Sequence, residues 1–320
     1  MDEWVISVDL GGTLLRVALF DRQGEIQARH VEPTLAEEGP ESVLTRLIAA
    51  VRRLGEEAGW DRIQAVGISS PGPLDPRQGM IHWSPNLPGW HQVPLVERVQ
   101  AAVDRPAFMG NDANLAALAE QRRGAGKGQS DLVYLTISTG IGGGVISHGR
   151  LLLGRGGLAG EVGHMTLEAN GPRCNCGNIG CLEALASGTA IARQARELVA
   201  LGAQTRIAEL AGGDLERIDA RLVHRAAVEG DVVAVDLFRK AGMYVGIGLV
   251  NLMYLFNPAL FVIGGGVAKA GDLLFVPMHA TLRARIHEIY WRDCPVVPAA
   301  LGDDVGLIGA AILAWERGEV

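Results

Sequence analysis

The sequence predicts an α/β protein built from two lobes. Its 320 residues exceed what one small hydrophobic core usually organises. A buried strand that runs into a glycine-rich turn and then into a second strand occurs twice, at residues 4–20 and at residues 132–147. Elsewhere, short strand-like runs alternate with segments of helical apolar spacing, as in sheets covered by helices. We therefore expect two related halves.

Charge and hydropathy argue against two classes of function. The chain has 29 basic and 36 acidic residues and no basic cluster longer than a pair such as Arg122-Arg123, so we expect no nucleic-acid partner. The longest apolar tract, Val245–Phe256, is too short to span a bilayer. The N-terminus shows no signal-peptide pattern, and the lone cysteine Cys294 fits a reducing compartment. These features predict a cytoplasmic protein with no membrane partner.

The first strand–turn–strand unit is a candidate phosphate loop. Trp4–Val8 is rich in β-forming residues and leads to Asp9, and Gly11-Gly12-Thr13 follows. Glycines let backbone N–H groups approach an anion, Thr13 adds a hydroxyl, and Asp9 would hold Mg²⁺ through water. A plain β-hairpin turn explains the same residues equally well.

The next segments predict a covering helix and two loops near a ligand site. Glu41–Ala58 has the apolar spacing of an amphipathic helix that covers a sheet. Ile63–Ser69 reads as a buried strand that runs into the loop Ser70–Pro73, at the edge where ligands collect in α/β sheets. The segment Trp83–Trp90 would either contact a sugar or form a packed loop tip.

Asn111 and Asp112 lie at a strand-to-helix junction, between Pro106–Met109 and the helix Leu115–Arg123. One polar residue would suffice to cap the helix. The polar run extends to Asn114, which is more than a cap needs. This favours Asp112 as a general base.

The second strand–turn–strand unit repeats the first theme. Leu132–Ile137 runs into Ser138–Gly144, and a strand at Val145–Ser147 follows. Two such turns indicate duplicated lobes that each contact a polyphosphate. The alternative is that these glycines serve only a tight hairpin.

The densest chemical signal is Gly160–Glu183, which holds three of the four cysteines. Three thiolates and an upstream imidazole complete a tetrahedral shell, so the sequence predicts a structural zinc site. The ligands are His164, Cys174, Cys176 and Cys181. Glu161 and Glu183 flank this set and would be held rigidly by it. The alternatives are incidental reduced cysteines or a disulfide between two of them.

The C-terminal part alternates helices and strands. The pattern predicts helices over Ile191–Gly230 and Val232–Phe256, strands over Ala259–Ile263 and Pro295–Ala300, and a closing helix over Val305–Trp315. Gly264-Gly265-Gly266 follows the first of these strands, and its bare backbone would let a purine or its phosphates lie against the chain.

Together these motifs resemble the ROK family of sugar kinases, and within it the bacterial glucokinases, over nearly the whole chain. The resemblance rests on Asp9–Thr13, Asn111–Asn114, Ile137–Gly144, Gly163-His164, Cys174–Glu183 and Gly264–Gly266. It implies a two-lobed actin-like ATPase (ribonuclease H-like) fold in which each lobe is a mixed sheet flanked by helices. The small lobe would comprise residues 1–110 and 300–320, and the large lobe residues 111–299 with the zinc loop. The family also implies a homodimer, with a tetramer as the alternative.

The resemblance implies a role for each matching residue. Asp112 would be the catalytic base that takes the proton of the sugar's 6-hydroxyl. The sugar contacts would be Gly72, Asn86, Asn111, Asp112, Glu161, His164 and Glu183. The contacts to nucleotide, phosphates and Mg²⁺ would be Asp9, Gly11, Gly12, Thr13, Thr139, Gly140, Gly265 and Gly266. His164 would serve zinc with one ring nitrogen and the sugar with the other.

Two positions depart from the family pattern. Leu14-Leu15-Arg16 follows the first loop where a lysine and a small residue are commoner, and Ser138 stands where glycine is frequent. We expect neither position to carry chemistry.

The resemblance implies ATP-dependent phosphorylation of a hexose at the 6-hydroxyl, with Mg²⁺ and a structural Zn²⁺ and with glucose as the expected substrate. Fructose, mannose, allose, N-acetylmannosamine and N-acetylglucosamine are alternative substrates, and polyphosphate is an alternative donor. A sugar-responsive repressor is disfavoured because the first strand starts at Trp4, which leaves no room for a DNA-binding domain, and because the charge is acidic. A non-catalytic sugar-binding scaffold is disfavoured by the presence of both Asp9 and Asp112.

Overall fold

A computed structural model describes residues 3–84 and 86–318. The chain divides into two compact units. The first unit comprises Met1–Gly128, Gly144–Gly160 and Ala300–Val320, and the second comprises Gln129–Gly143 and Glu161–Ala299. Among the described residues, no helix has both the length and the apolar character needed to cross a membrane.

Both units combine strands and helices. The strands are β1 (Trp4–Leu10), β2 (Leu14–Asp21), β3 (Ile26–Pro33), β4 (Ile63–Ser70), β5 (Leu74–Asp75), β6 (Met80–Trp83), β7 (His91–Val93), β8 (Ala107–Asn111), β9 (Leu132–Ile137), β10 (Ile141–Ser147), β11 (Arg150–Leu151), β12 (Leu260–Gly264) and β13 (Val296–Pro298). The helices are α1 (Pro40–Ala58), α2 (Leu95–Val103), α3 (Asp112–Arg123), α4 (Leu182–Ala186), α5 (Gly188–Ala200), α6 (Arg206–Ala211), α7 (Ala220–Val228), α8 (Val232–Phe256), α9 (Asp272–Arg285), α10 (Glu288–Trp291) and α11 (Val305–Trp315).

The first unit is organised by a mixed sheet with the strand order β3-β2-β1-β4-β8. β1 pairs antiparallel with β2 and parallel with β4, and β4 pairs parallel with β8. Helices α1 and α2 cover one face, and α11 packs on the other. The central strand β1 is therefore buried on both faces, which explains its nearly continuous apolar sequence.

Helix α1 forms where its apolar spacing predicts a helix. It starts with Pro40, whose fixed φ suits the first helical turn. One face buries Val43, Leu47, Val51 and Leu54 against the sheet, while charged residues occupy the other face. Burial of this stripe supplies most of the helix's stability, because an isolated helix is only marginally stable in water.

The second unit is built on β9, β12 and β13, which run parallel to one another. They belong to a sheet of order β11-β10-β9-β12-β13, and the boundary between the compact units falls within β10. The long helix α8 is the main packing partner of α9 and also contacts α4, α5 and α7. The expected combination of mixed sheets with flanking helices is confirmed.

The compact units do not coincide with the lobes expected from the resemblance. Residues 111–128 and 144–160 cluster with the first unit, because α3 packs against α11 and the Gly144 backbone lies against α3. The predicted functional boundary at residue 110 stays a prediction.

Candidate active site

The candidate phosphate loop connects β1 to β2 in the first unit. The Gly11 N–H donates to the carbonyl oxygen of Leu14 at 3.0 Å, which closes a tight turn. The buried Thr34, just after β3, holds this turn from outside. Its N–H donates to the Thr13 carbonyl oxygen at 2.9 Å, and its hydroxyl donates to the Gly11 carbonyl oxygen at 2.7 Å. The loop is therefore a tight hairpin turn, and the hydrogen bonds from Thr34 restrict its movement.

A predicted sugar contact lies against this loop. A Cβ on Gly12 would lie 2.7 Å from the carbonyl oxygen of Asn86, which is closer than real Cβ atoms approach. Gly72 lies in the loop after β4 with a φ of 97°, and a Cβ there would lie 2.5 Å from the Trp83 carbonyl oxygen. The loop after β4 and the segment after β6 are thus neighbours, as the proposed sugar contacts require.

Asp9 lies near the carboxyl end of β1 and is 8% exposed. The Nη2 atom of Arg16 lies 2.6 Å from Asp9 Oδ2. Burial raises the pKa of the Asp9 carboxyl, and the charge of Arg16 opposes that rise. A carboxylate beside a turn of backbone N–H groups fits Mg²⁺ held through water, because Mg²⁺ prefers oxygen ligands and keeps several waters.

Helix α3 begins at Asp112, three residues before the predicted start, and Asn111 is its N-cap. The Asn111 Oδ1 atom accepts hydrogen bonds from the N–H groups of Ala113 at 3.0 Å and Asn114 at 3.3 Å. Its Nδ2 is the atom that can donate to a hydroxyl. Asp112 is exposed in the first helical turn, where the helix dipole favours its negative charge. Asn111 is thus the N-cap, the Asp112 Oδ1 atom also accepts a hydrogen bond from the Ala113 N–H at 2.8 Å, and the exposed Asp112 carboxylate can accept a proton.

In the second unit, Glu183 joins the start of β10 to the cysteine cluster. The strand was predicted to start at Val145, but β10 already begins at Ile141, so only Ser138–Gly140 form the turn. Glu183 Oε2 accepts a hydrogen bond from the Ile141 N–H at 2.9 Å, and its Oε1 lies 3.6 Å from Cys174 Sγ. A Cβ on Gly140 would lie 2.4 Å from Glu183 Oε2, so a side chain at this position would require the Glu183 carboxylate to move. The contact with Cys174 requires a thiol proton. A zinc-bound thiolate would therefore leave Oε1 available to another donor.

The predicted nucleotide contacts of the second unit are also neighbours. The Thr139 carbonyl oxygen accepts a hydrogen bond from the Thr189 hydroxyl at 2.7 Å, near the start of α5. Gly265 has a φ of 88°, and a Cβ there would lie 2.3 Å from the Ile137 carbonyl oxygen. Ile137 ends β9, and Gly265 follows β12. The turn after β9 and the turn after β12 therefore lie together at the carboxyl end of these adjacent parallel strands.

Glu161 immediately precedes a single 3-10 turn, Val162–His164, and His164 is the last residue of that turn. The His164 N–H donates to the Glu161 carbonyl oxygen at 3.1 Å. The Glu161 side chain is exposed overall, but protein packed around its carboxyl raises the pKa. The adjacent His164 opposes this rise, and Glu183 adds to it. This turn therefore places a carboxylate and an imidazole next to the metal-ligand cluster.

The predicted metal ligands converge on one point in the second unit. The ligand atoms of His164, Cys174, Cys176 and Cys181 all lie within 4.8 Å of one another. The Nδ1 atom of His164 lies 3.8 Å from Cys174 Sγ, and Cys176 Sγ lies 3.7 Å from Cys181 Sγ. Because Nδ1 points into the cluster, Nε2 is the nitrogen that can serve a sugar.

These distances match a tetrahedral zinc shell. Zn–S bonds of about 2.3 Å set sulfur–sulfur edges of about 3.8 Å in a tetrahedron. A disulfide would instead join two sulfurs at about 2.05 Å. The disulfide alternative is therefore wrong, and the four cysteines are free. Burial raises the pKa of Cys174 to about 12, so its thiolate needs a bound cation to form near neutral pH. The cluster fits a structural Zn²⁺.

Two charged side chains make strong contacts that were not predicted from the sequence. Arg16 pairs with Asp9, and the fully buried Glu120 accepts hydrogen bonds at 2.9 Å from the N–H groups of Ala300 and Leu301. A hairpin of known register would have revealed the first pair, because Asp9 and Arg16 lie directly opposite each other. The second contact joins residues 180 positions apart, and no local signal marks it.

Comparison with known proteins identifies the family. The model of the ROK family matches residues 5–317. A glucokinase of Thermotoga maritima is 40% identical over 315 residues, which cover 98% of each chain. An N-acetylmannosamine kinase of Shigella flexneri is 35% identical and covers 97% of this chain and 98% of its own. The crystal structure of a ROK family glucokinase from Streptomyces griseus in complex with glucose and AMPPNP superposes with a TM-score of 0.83. It is 36% identical and covers 98% of this chain and 99% of its own.

Proposed function

The chain belongs to the ROK family, and we propose that it transfers a phosphoryl group from ATP to the 6-hydroxyl of glucose. The observation that carries this proposal is the position of Glu183. One carboxylate oxygen accepts a hydrogen bond from the N–H of Ile141, the first residue of β10, and the other lies against the zinc-ligand cluster at Cys174. With zinc bound to the Cys174 thiolate, Glu183 would stay fixed through Oε2 and offer Oε1 to a sugar hydroxyl, and a carboxylate that is already oriented loses little entropy on binding.

Asp112 is the proposed catalytic base. An alcohol holds its proton near neutral pH, so a carboxylate within hydrogen-bond distance acts mainly as the proton leaves in the transition state, a gain of typically ~10²–10⁴ in rate. Phosphoryl transfer needs little other covalent work from a protein. The remaining residues would position the substrates and balance charge.

The proposed sugar contacts supply hydrogen-bond donors and acceptors for the sugar hydroxyls. They are Gly72, Asn86, Asn111, Asp112, Glu161, His164 and Glu183. Asn111 would donate through Nδ2 and His164 through Nε2, since their other polar atoms serve the helix cap and the metal cluster. Glu161 and Glu183 would accept hydrogen bonds from the sugar hydroxyls.

The proposed nucleotide contacts lie on the glycine turns. They are Asp9, Gly11, Gly12, Thr13, Thr139, Gly140, Gly265 and Gly266. Bare backbone at these turns would let N–H groups approach the phosphates. Bound Mg²⁺ would neutralise charge on the phosphates, and Asp9 would hold it through water.

The proposal is tested by a coupled assay of ADP release with a panel of hexoses. Glucose should give the highest kcat/KM. Mannose, fructose, allose, N-acetylmannosamine and N-acetylglucosamine are the competitors, and the N-acetylmannosamine kinase among the relatives makes an N-acetylated sugar the second candidate. Polyphosphate in place of ATP tests the donor. Absence of sugar-dependent ADP release with every hexose would reject the kinase assignment.

We also propose that the protein is cytoplasmic and forms a homodimer. Free cysteines in the metal cluster fit a reducing compartment. Exposed apolar side chains that suit a subunit contact lie at the end of α8 and in α10: Tyr254, Leu255, Phe256, Ile289 and Tyr290. The rings of Tyr254 and Tyr290 pack edge to face at 5.2 Å. Light scattering should give twice the chain mass, and Leu255→Glu should reduce it to that of a monomer.

A further inference from the structure

Arg16 follows the candidate phosphate loop on β2, and it makes two strong contacts. Its Nη2 lies 2.6 Å from Asp9 Oδ2, and its Nη1 donates to the carbonyl oxygen of Asp303 at 2.5 Å. Asp303 belongs to the 3-10 turn Gly302–Asp304, just before α11. One guanidinium therefore ties the candidate phosphate loop's hairpin to a turn almost three hundred residues later.

The hairpin geometry enforces the first contact. Asp9 and Arg16 are directly opposite in the antiparallel β1–β2 pair, so their side chains point to the same face. The Asp9 side chain is 11% exposed and that of Arg16 is 28% exposed. Charge pairs sheltered from water are weakly screened, and removal of one partner leaves the other without compensation.

The Asp9 carboxyl also lies close to the start of α11 and to Asp304. A Cβ on Gly306, in the first turn of α11, would lie 2.8 Å from Asp9 Cγ, so the helix backbone abuts the carboxyl. Asp304 adds a second negative charge nearby, and it pairs with Arg29 at 2.6 Å. The carboxyl of Asp9 is therefore wedged between a guanidinium and a helix backbone, and its rotamer is restricted.

Building on the proposed function, we propose that Arg16 is a positioning residue for the magnesium–nucleotide complex. It holds Asp9 through Oδ2 and so fixes the orientation of the carboxylate that would hold the magnesium-bound water. The fork of the guanidinium is essential, because one planar group must reach both Asp9 and the Asp303 carbonyl. A lysine ammonium keeps the charge but lacks this bidentate geometry.

The experiment measures binding of a non-hydrolysable ATP analogue with Mg²⁺ by titration calorimetry. Arg16→Gln should weaken binding ~10-fold to ~100-fold, the loss expected for charge-assisted hydrogen bonds. Arg16→Lys should lie between Arg16→Gln and the wild type. Arg29→Gln is the matched control, because Arg29 lies on β3 and pairs with Asp304 of the same 3-10 turn without contacting Asp9, and the variant should bind within about twofold of wild type. The dissociation constant for glucose should change by less than about twofold in all three variants.

Each outcome decides the role of Arg16. Binding by Arg16→Gln that equals or exceeds that of the wild type overturns the proposal, since Arg16 would then only shield Asp9 or compete with the metal. If Arg16→Gln does not fold, Arg16→Lys decides, and wild-type affinity in that variant overturns the need for a fork. Failure of the wild-type protein to bind the analogue rejects the proposed function and this role with it.

Discussion

Replacement of one buried zinc ligand should separate metal binding from ordinary packing. Cys181 is fully buried, and its sulfur lies 3.7 Å from that of Cys176, as expected for an edge of a zinc tetrahedron. Structural zinc contributes an apparent binding free energy of about 10–16 kcal/mol, or about 3 kcal/mol for each of four ligands. Cys181→Ser should therefore weaken zinc binding ~100-fold.

Cys294→Ser is the matched control. Cys294 is buried as well, but it lies outside the cluster, so the same exchange of sulfur for oxygen affects packing alone. Zinc content per chain, measured with a colorimetric chelator after dialysis, should stay near one in this control and fall well below one in Cys181→Ser. Glucose affinity should fall in Cys181→Ser, because Glu183 and His164 lose their support.

If Cys181→Ser keeps full zinc content and wild-type glucose affinity, the cluster is not a four-ligand site that supports the sugar contacts. Equal losses in Cys181→Ser and Cys294→Ser would likewise show that packing rather than metal binding is measured.

Three further predictions concern the glycine turns and a helix cap. Gly12→Ala should raise the KM for ATP at least ~10-fold, because the new methyl group would lie 2.7 Å from the Asn86 carbonyl oxygen, and unchanged kinetics would contradict this. Gly140→Ala should raise the KM for glucose, because its Cβ would displace Glu183 Oε2, which lies 2.4 Å away; a structure of the variant with Glu183 unmoved would contradict it. Asp231→Asn should reduce the free energy of unfolding by about 0.5 kcal/mol near pH 7, since asparagine can still cap α8 but lacks the negative charge that is favourable at a helix N-terminus. Partial burial alone would raise the pKa of Asp231, but hydrogen bonds from two N–H groups and a hydroxyl at 2.8–2.9 Å outweigh it and lower the pKa. The stabilisation is therefore present above the unfolded pKa, and the difference between wild type and variant should shrink as the pH falls below about 4. A difference in unfolding free energy that does not vary with pH would show that the charge plays no part.

Local patterns in the sequence predicted the metal-ligand cluster and the polar strand-to-helix junction. The cysteine cluster was predictable because its ligands lie within one short segment, and a metal shell constrains both residue type and spacing. The junction at Asn111 and Asp112 was predictable because a strand that ends in polar residues before a helix leaves few arrangements. In both cases the chemistry is encoded by neighbouring residues.

Contacts between distant residues were not predictable in this way. The ion pair of Arg16 with Asp9 depends on the register of the β1–β2 hairpin, and its bond to Asp303 depends on how the chain's last segment packs. Glu120 bonds to Ala300 and Leu301 for the same reason. The assignment of residues 144–160 to the first unit also follows from packing rather than from composition.

Paired measurements on Asp112→Asn test the phosphotransfer mechanism most directly. The amide is nearly isosteric with the carboxylate but cannot accept the sugar's proton. We expect glucose affinity, measured by calorimetry, to stay within about threefold of wild type, while kcat for glucose-dependent ADP release falls ~10²–10⁴-fold. A variant that binds glucose normally and turns over at the wild-type rate would contradict the role of Asp112 as the base.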